Sequence, residues 1–275
     1  MGMVAIVSDM NRIERIFADL RAAGKHALMP FITAGYPNLA ATEAMLPQLQ
    51  AAGASVCELG IPFSDPVADG PVISASMTEA LEAGVQPAGV FELVARQRDT
   101  LDIGLVAMLS YSIVYRIGVE SFVRQAADAG IDGLIIPDLP LEEADAVTGP
   151  AKAAQLTCSG LIAPTTPRDR AEQIARACTG FIYLIARTGL TGERDSVPVD
   201  LRQRVDELRR VSDLPIAVGF GISRADHVRA VTQVADAAIV GSAVVKQIGQ
   251  HLDEPPAQLA EHIGRFIAEL AGGLS

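Results

Sequence analysis

Eight short apolar runs recur along this chain, at residues 27–33, 55–60, 104–109, 133–137, 157–163, 181–186, 215–219 and 237–241. Amphipathic stretches with helical spacing separate them, among them residues 39–52, 118–129, 168–177, 201–211 and 224–234. Strands spaced by helices cannot pair as hairpins. They pair in parallel, each joined to the next by a crossover helix. Eight such units in 275 residues predict an α/β fold, a single (β/α)8 TIM-barrel domain over residues 1–275. A doubly wound open sheet is the rival topology, but no Gly-x-Gly-x-x-Gly turn follows the first run. An extra N-terminal helix precedes the first strand. Asn11 is placed to cap it, Glu14 follows three residues on, and Ile13, Ile16, Phe17 and Leu20 repeat at helical spacing. A last helix, about residues 256–270, ends the pattern.

Composition narrows the partners. The chain is 49% hydrophobic, enough for a sizeable core, and its 33 acidic against 22 basic residues give a net charge of −11. Such a chain offers no basic field to nucleic acid or to an anionic membrane, so neither is expected. Cys57, Cys158 and Cys178 are odd in number and widely spaced, as reduced thiols in the cytoplasm would be. No apolar run reaches the roughly 18 residues of a membrane span. Residues 1–9 lack the basic start and long apolar stretch of a signal peptide.

In a barrel the carboxyl ends of the strands converge on one mouth, where active sites lie. The run from Cys57 to Pro71 holds Glu58 at the end of the second strand, then Asp65 and Asp69 in a loop stiffened by proline and glycine. Carboxylates at the exit of a buried strand are costly unless they are used or paired. Glu58 reads either as an inward acid/base with a pKa raised by its apolar surroundings, or as a strand-end residue paired with a cation. Asp69 reads as a second acid/base group or as a turn-forming Asp. Asp65 suits a turn or a partner contact, and Asp138 suits the mouth or a cap on the next helix.

Two glycine-bearing segments, Gly219-Phe220-Gly221-Ile222-Ser223 and Gly241-Ser242-Ala243, open the last two βα units. Backbone N–H groups at such helix starts bind phosphate, and barrels place phosphate after strands seven and eight. Residues 187–198, polar and rich in glycine, are longer than an ordinary βα turn and read as a lid carrying Thr191 and Gly192. His26, His227, His251 and His262 are scattered. His26 lies before the first strand, and the other three read as surface-helix residues. No metal site is expected from their spacing, and no Ser or Cys stands in a nucleophile setting.

Several of these segments together resemble the tryptophan synthase alpha subunit family over almost the whole chain. They are Pro30-Phe31-Ile32-Thr33-Ala34-Gly35-Tyr36-Pro37, Glu58 through Pro71, Asp138-Leu139-Pro140-Leu141-Glu142-Glu143, Thr188 through Gly192, Gly219-Phe220-Gly221-Ile222 and Gly241-Ser242. The second is highly specific. The resemblance implies a retro-aldol cleavage of indole-3-glycerol phosphate to indole and glyceraldehyde 3-phosphate. In that reading Glu58 is the acid/base that protonates indole C3, and Asp69 faces the indole N–H. Thr191 orients Asp69, Phe31 packs on indole, and Tyr183 lies near substrate and Glu58. Gly192, Gly219, Phe220, Gly221, Gly241 and Ser242 form the phosphate end.

The resemblance also implies a pyridoxal-phosphate β subunit as partner in an α-β-β-α complex, met through Asp65, Ser112, Asp138 and Pro140. The pyridoxal phosphate belongs to that partner, and no cofactor is expected in this chain. The sequence departs from the family after strand three: Ser110 replaces an indole-side tyrosine and Ser112 an interface asparagine. Two other readings stay open: a different barrel enzyme acting on a sugar phosphate, and a non-enzymatic chain that only activates a β subunit.

Overall fold

The computed structural model describes residues 10–64, 70–186, 200–219 and 221–274. Among them, β1 (Ala27–Thr33), β2 (Val56–Gly60), β3 (Gly104–Met108), β4 (Gly133–Ile135), β5 (Thr157–Ser159), β6 (Leu161–Ile162), β7 (Ile182–Ile185), β8 (Ile216–Gly219) and β9 (Ala237–Val240) form one sheet. Its order is β5-β4-β3-β2-β1-β9-β8-β7-β6, and each pair is parallel. Only Gly160 separates β5 from β6. The two ends of the order are therefore halves of one strand, and the sheet closes into a barrel of eight, as the sequence predicts.

The helices are α1 (Arg12–Ala22), α2 (Leu39–Ala51), α3 (Pro71–Glu82), α4 (Pro87–Gln97), α5 (Tyr111–Ile117), α6 (Val119–Ala129), α7 (Ala144–Ala153), α8 (Arg168–Ala177), α9 (Leu201–Arg209), α10 (Ala225–Thr232), α11 (Ser242–Gly249) and α12 (Pro256–Ala271). They cover the outside of the sheet, which is why β1 is buried at all seven positions and reads as an unbroken apolar run rather than an alternating one. The long interval between β2 and β3 holds two helices. Gly84, at φ +81°, stops α3 in a backbone conformation that side chains rarely adopt, and Pro87 starts α4 at a position where proline's missing N–H costs nothing. Among the described residues no helix is long and apolar enough to cross a membrane.

The extra helix closes the amino-terminal end of the barrel. Asn11 and Glu14 form the expected reciprocal cap of α1. The Asn11 side chain also donates to the backbone carbonyls of Asp132 and Gln155, fixing the helix across the strand starts. Ile13 is fully buried and fills the space that a side chain at Gly104, the first residue of β3, would need: a methyl group there would collide with Ile13 Cδ1. Phe17 packs on Phe181 with ring centroids 5.9 Å apart.

One ionic cluster braces this floor. Asp132, just before β4, pairs with Arg98 at 3.2 Å and Arg12 at 3.3 Å, and accepts from the Leu105 N–H at 2.8 Å. Arg98 also donates to the carbonyls of Leu101 and Ile103. Burial raises the Asp132 pKa; the Leu105 N–H and the two guanidiniums pull the other way. Asp132→Ala would leave the buried Arg98 guanidinium without its counter-charge, so it is expected to destabilise the fold by about 3 kcal/mol. Urea unfolding followed by circular dichroism measures this, and a loss below about 1 kcal/mol would mean the pair is solvated like a surface ion pair.

Candidate active site at the carboxyl ends of the strands

The strand register decides which side chains share the barrel interior. Phe31 pairs with Glu58, Glu58 with Val106, Thr33 with Gly60 and Gly60 with Met108. Met29 pairs with Ile239, Ile239 with Gly219, and Tyr183 with Ala217 two residues before Gly219. Paired residues share a face, as do alternate residues of a strand. Phe31, Thr33, Glu58, Gly60, Met108, Tyr183 and Gly219 therefore stand on one face.

Close approaches identify that face as the interior. A methyl group on Gly60 would lie 2.5 Å from the Phe31 ring, and one on Gly219 would lie 3.3 Å from the Tyr183 hydroxyl. On Gly241 it would meet Ile73 Cδ1 at 3.4 Å and Phe31 Cβ at 3.8 Å. Gly160, on the opposite face, would instead meet Ile174 of α8 at 2.8 Å. Glycine at Gly60, Gly219 and Gly241 thus keeps the mouth open where Phe31 and Tyr183 project into it.

Glu58 is the third residue of β2, 1% exposed, with both carboxylate oxygens shielded from solvent. It is held on a strand between Phe31 and Val106, so its position is fixed by the sheet rather than by a loop. Its neighbour Cys57 faces the helices. Burial, with the adjacent Glu58 charge adding to it, pushes the Cys57 thiol well above its usual range, so it stays protonated and is no nucleophile at neutral pH. Cys158 and Cys178 are likewise pushed up, to about 12 and about 11, by burial.

Asp65, Asp69, Thr191, Gly192 and Phe220 lie outside the described residues. The segment after residue 69 is anchored at Gly70, which precedes Pro71 at the start of α3. Two buried hydroxyls tie that helix to the end of β1: Thr33 donates to Ser76 Oγ at 2.6 Å, and Ser76 donates to the Ile73 carbonyl at 2.7 Å. This pair, and Met108 beside Gly60, are mouth residues that sequence reasoning missed. Their sidedness follows only from register.

The described parts of the two glycine-bearing segments follow β8 and β9. Gly241 precedes Ser242 at the start of α11, whose first N–H groups have no carbonyl a turn earlier. Gly221 has φ +88°, a left-handed conformation that favours glycine. His227, read from sequence as a surface-helix residue, is instead 3% exposed. It accepts from the Ser223 N–H at 3.4 Å and meets Arg224 at 2.9 Å, so it stiffens the turn after Gly221.

Ser110 and Ser112 join Asp138 in a small network. Asp138 does not cap the helix that follows it. It accepts from Ser110 Oγ and from the Tyr111 N–H, both at 2.7 Å, at the start of α5. Ser112 Oγ lies 2.7 Å from Ser110 Oγ, and Tyr111 donates to Glu143 at 2.9 Å. The structure thus gathers Ser110, Ser112 and Asp138. Pro140 stands apart, in the lining of an apolar cavity between α7 and α8 with Leu141, Ile174 and Arg170.

Gly60→Ala places a carbon in contact with the Phe31 ring and Met77 Cε, which lies 3.0 Å away. It is expected to cost about 1–3 kcal/mol through forced displacement of the ring. Thermal unfolding reads the loss, and a crystal structure of the variant should reveal Phe31 rotated. An unmoved ring with unchanged stability would refute this packing.

A tryptophan synthase alpha chain family model matches residues 17–270. A tryptophan synthase alpha chain of Acaryochloris marina is 43% identical over 266 residues, covering 96% of this chain and 98% of that one. One from a Cyanothece species is 45% identical over 246 residues, covering 89% and 92%. A chain in the structure of Mycobacterium tuberculosis tryptophan synthase superposes with a TM-score of 0.87 at 31% identity, covering 96% of this chain and 98% of that one. With a family model spanning most of the chain and relatives 43% and 45% identical along nearly its full length, the chain belongs to the tryptophan synthase alpha chain family.

Proposed function

We propose that this chain, a tryptophan synthase alpha-type lyase of indole-3-glycerol phosphate, cleaves its substrate by acid/base chemistry divided between Glu58 and Asp69. The bond between the indole ring and the glycerol side chain breaks only after ring carbon C3 has gained a proton. As it does, positive charge develops at the ring nitrogen, and the side-chain hydroxyl must lose its proton for the carbonyl of glyceraldehyde 3-phosphate to form. Glu58 hands a proton to C3 and assists removal of the hydroxyl proton. Asp69 accepts the indole N–H and stabilises the charge there. Thr191 positions Asp69, and residues 187–198 close over the substrate and exclude water.

The buried position of Glu58 beside Phe31 carries this reading: a carboxylate facing an aromatic surface inside a closed barrel. Phe31 packs on the indole ring, Tyr183 borders the site from the opposite wall, and the N–H groups at Gly192, Gly219, Phe220, Gly221, Gly241 and Ser242 hold the phosphate. The whole chain acts as one barrel domain, in the cytoplasm, where its three thiols stay reduced.

The partner in this reading is a tryptophan synthase β chain in an α2β2 assembly. Asp65 and the Ser112–Asp138 network face it, with Pro140 nearby, and its pyridoxal phosphate performs the second reaction. The Ser110–Asp138 bond supports this assignment because it fixes the start of α5, where the interface asparagine of the family is replaced.

Glu58→Gln and Asp69→Asn each keep side-chain size, so both should fold normally. Each is expected to lower indole release from indole-3-glycerol phosphate by roughly 10²–10⁴-fold. The chain has no Trp, so indole fluorescence can be followed directly, with and without a β chain. Near-normal turnover in either variant would remove that residue from the mechanism.

A further inference from the structure

Two histidines eleven residues apart in sequence meet on the outer helical layer. His251 follows α11, Glu254 lies in the corner before α12, and His262 is on α12 itself. His251 Nδ1 lies 2.9 Å from Glu254 Oε1, and His262 Nδ1 lies 3.0 Å from Glu254 Oε2. The two Nδ1 atoms are 3.0 Å from each other. The rings meet edge to face with centroids 4.3 Å apart, and ligand atoms of all three side chains lie within 4.8 Å of one another.

Protons and a divalent cation compete for the same atoms here. With one proton on His251 Nδ1, shared between Glu254 Oε1 and His262, the His262 lone pair faces that of Glu254 Oε2. Oε2 is buried and receives no hydrogen bond. Moving the proton to His262 Nδ1 turns the His251 lone pair toward Oε1 instead. Protonating both rings gives each Glu254 oxygen its own N–H, but holds two positively charged rings with their Nδ1 atoms 3.0 Å apart. With the carboxylate ionised, each placement of a single proton leaves two lone pairs facing each other. A cation at the centre accepts all three donors at once.

We propose that His251, Glu254 and His262 form a binding site for a divalent first-row transition ion. Two imidazole nitrogens and one carboxylate suit Zn²⁺, Co²⁺, Ni²⁺ or Cu²⁺ rather than Mg²⁺ or Ca²⁺, which prefer oxygen. At bond lengths of about 2.0–2.1 Å, tetrahedral ligand atoms stand about 3.3 Å apart, within a few tenths of an ångström of the 2.9 and 3.0 Å nitrogen–oxygen and 3.0 Å nitrogen–nitrogen separations here. The three side chains are 26%, 28% and 33% exposed, enough to admit the ion and leave a fourth position for water. Binding would pin the corner between α11 and α12 to the α12 helix. α12 packs along α2, where Gly264 meets Gln48. The site is separate from Glu58 and from the proposed chemistry.

The test is a titration of the full chain, first stripped with chelator, using Co²⁺ as the probe. One equivalent is expected to bind, with visible d–d absorption and without the charge-transfer band of thiolate ligation, which separates this site from the three cysteines. His251→Ala, Glu254→Gln and His262→Ala should each weaken binding by at least about tenfold. Zn²⁺ should raise the thermal midpoint of the parent chain and not that of the variants, while indole release stays unchanged. Should a variant fold poorly, line broadening in NMR spectra of the parent chain should map bound Co²⁺ to the residues around 251–262. Equal affinity in the variants, thiolate absorption, broadening elsewhere, or no saturable binding below about 1 mM would each overturn the proposal.

Discussion

Closure of the parallel sheet at Gly160 is the constraint on which the rest depends. An open parallel sheet leaves two edges of unpaired N–H and C=O groups. Here the strand formed by β5 and β6 serves both neighbours, with Ser159 against Ile135 on one side and Leu161 against Tyr183 on the other. The hand-over falls at a residue with no room for a side chain, since Ile174 and Cys178 of the covering layer press against it. Gly160 donates to Cys178 Sγ and accepts from the Tyr183 N–H, so its backbone groups remain used through the change of partner. Because the barrel closes there, residues as far apart in sequence as Phe31, Glu58, Tyr183 and Gly219 come to share one interior.

The two ends of that interior are built differently. At the amino-terminal end, space is filled and charge is neutralised: Ile13 occupies the gap over Gly104, and Asp132 is held by two guanidiniums and a backbone N–H. At the carboxyl end β2 and β8 finish in Gly60 and Gly219, Gly241 follows β9, and a carboxylate is buried beside an aromatic residue. Asp132 is surrounded by cations, as a residue that stabilises a fold would be. Glu58 is 1% exposed on a strand between Phe31 and Val106, and burying a carboxylate there costs stability. The contrast follows the usual division of a barrel into a stabilising floor and a reactive mouth.

Most of the fold was legible because its elements are locally encoded. A strand covered on both faces must be apolar throughout, so β1 could be bounded correctly from residues 27–33 alone. The Asn11–Glu14 cap is written in four consecutive residues. Glu58 was legible because a charge at the end of an apolar run is conspicuous. What escaped depends on distant partners. Asp138 sits beside α7 in sequence yet holds the start of α5, because strands β3 and β4 bring the two turns together. His227 has helical surface spacing, and only its packing against the turn at Ser223 buries it. His251 and His262 are eleven residues apart across a corner, a separation that matches no helical ligand spacing.

In the proposed mechanism the two carboxylates sit on unlike supports, and the reaction explains why. Protonating a ring carbon requires the acid to be placed within a few tenths of an ångström, which a strand fixed by neighbours on both sides provides. Glu58 has that support from β1 and β3. The group facing the ring nitrogen works under a different demand, because it must also let substrate enter and indole leave. A loop residue oriented by a lid residue meets that need, since the same closing step that brings Thr191 to Asp69 would shut out water. The Thr33–Ser76 pair then has a clear role. It fastens the first turn of α3, and with it the end of the Asp69 loop, to the strand that carries Phe31. The rigid half and the loop half of the site share β1 as their common reference.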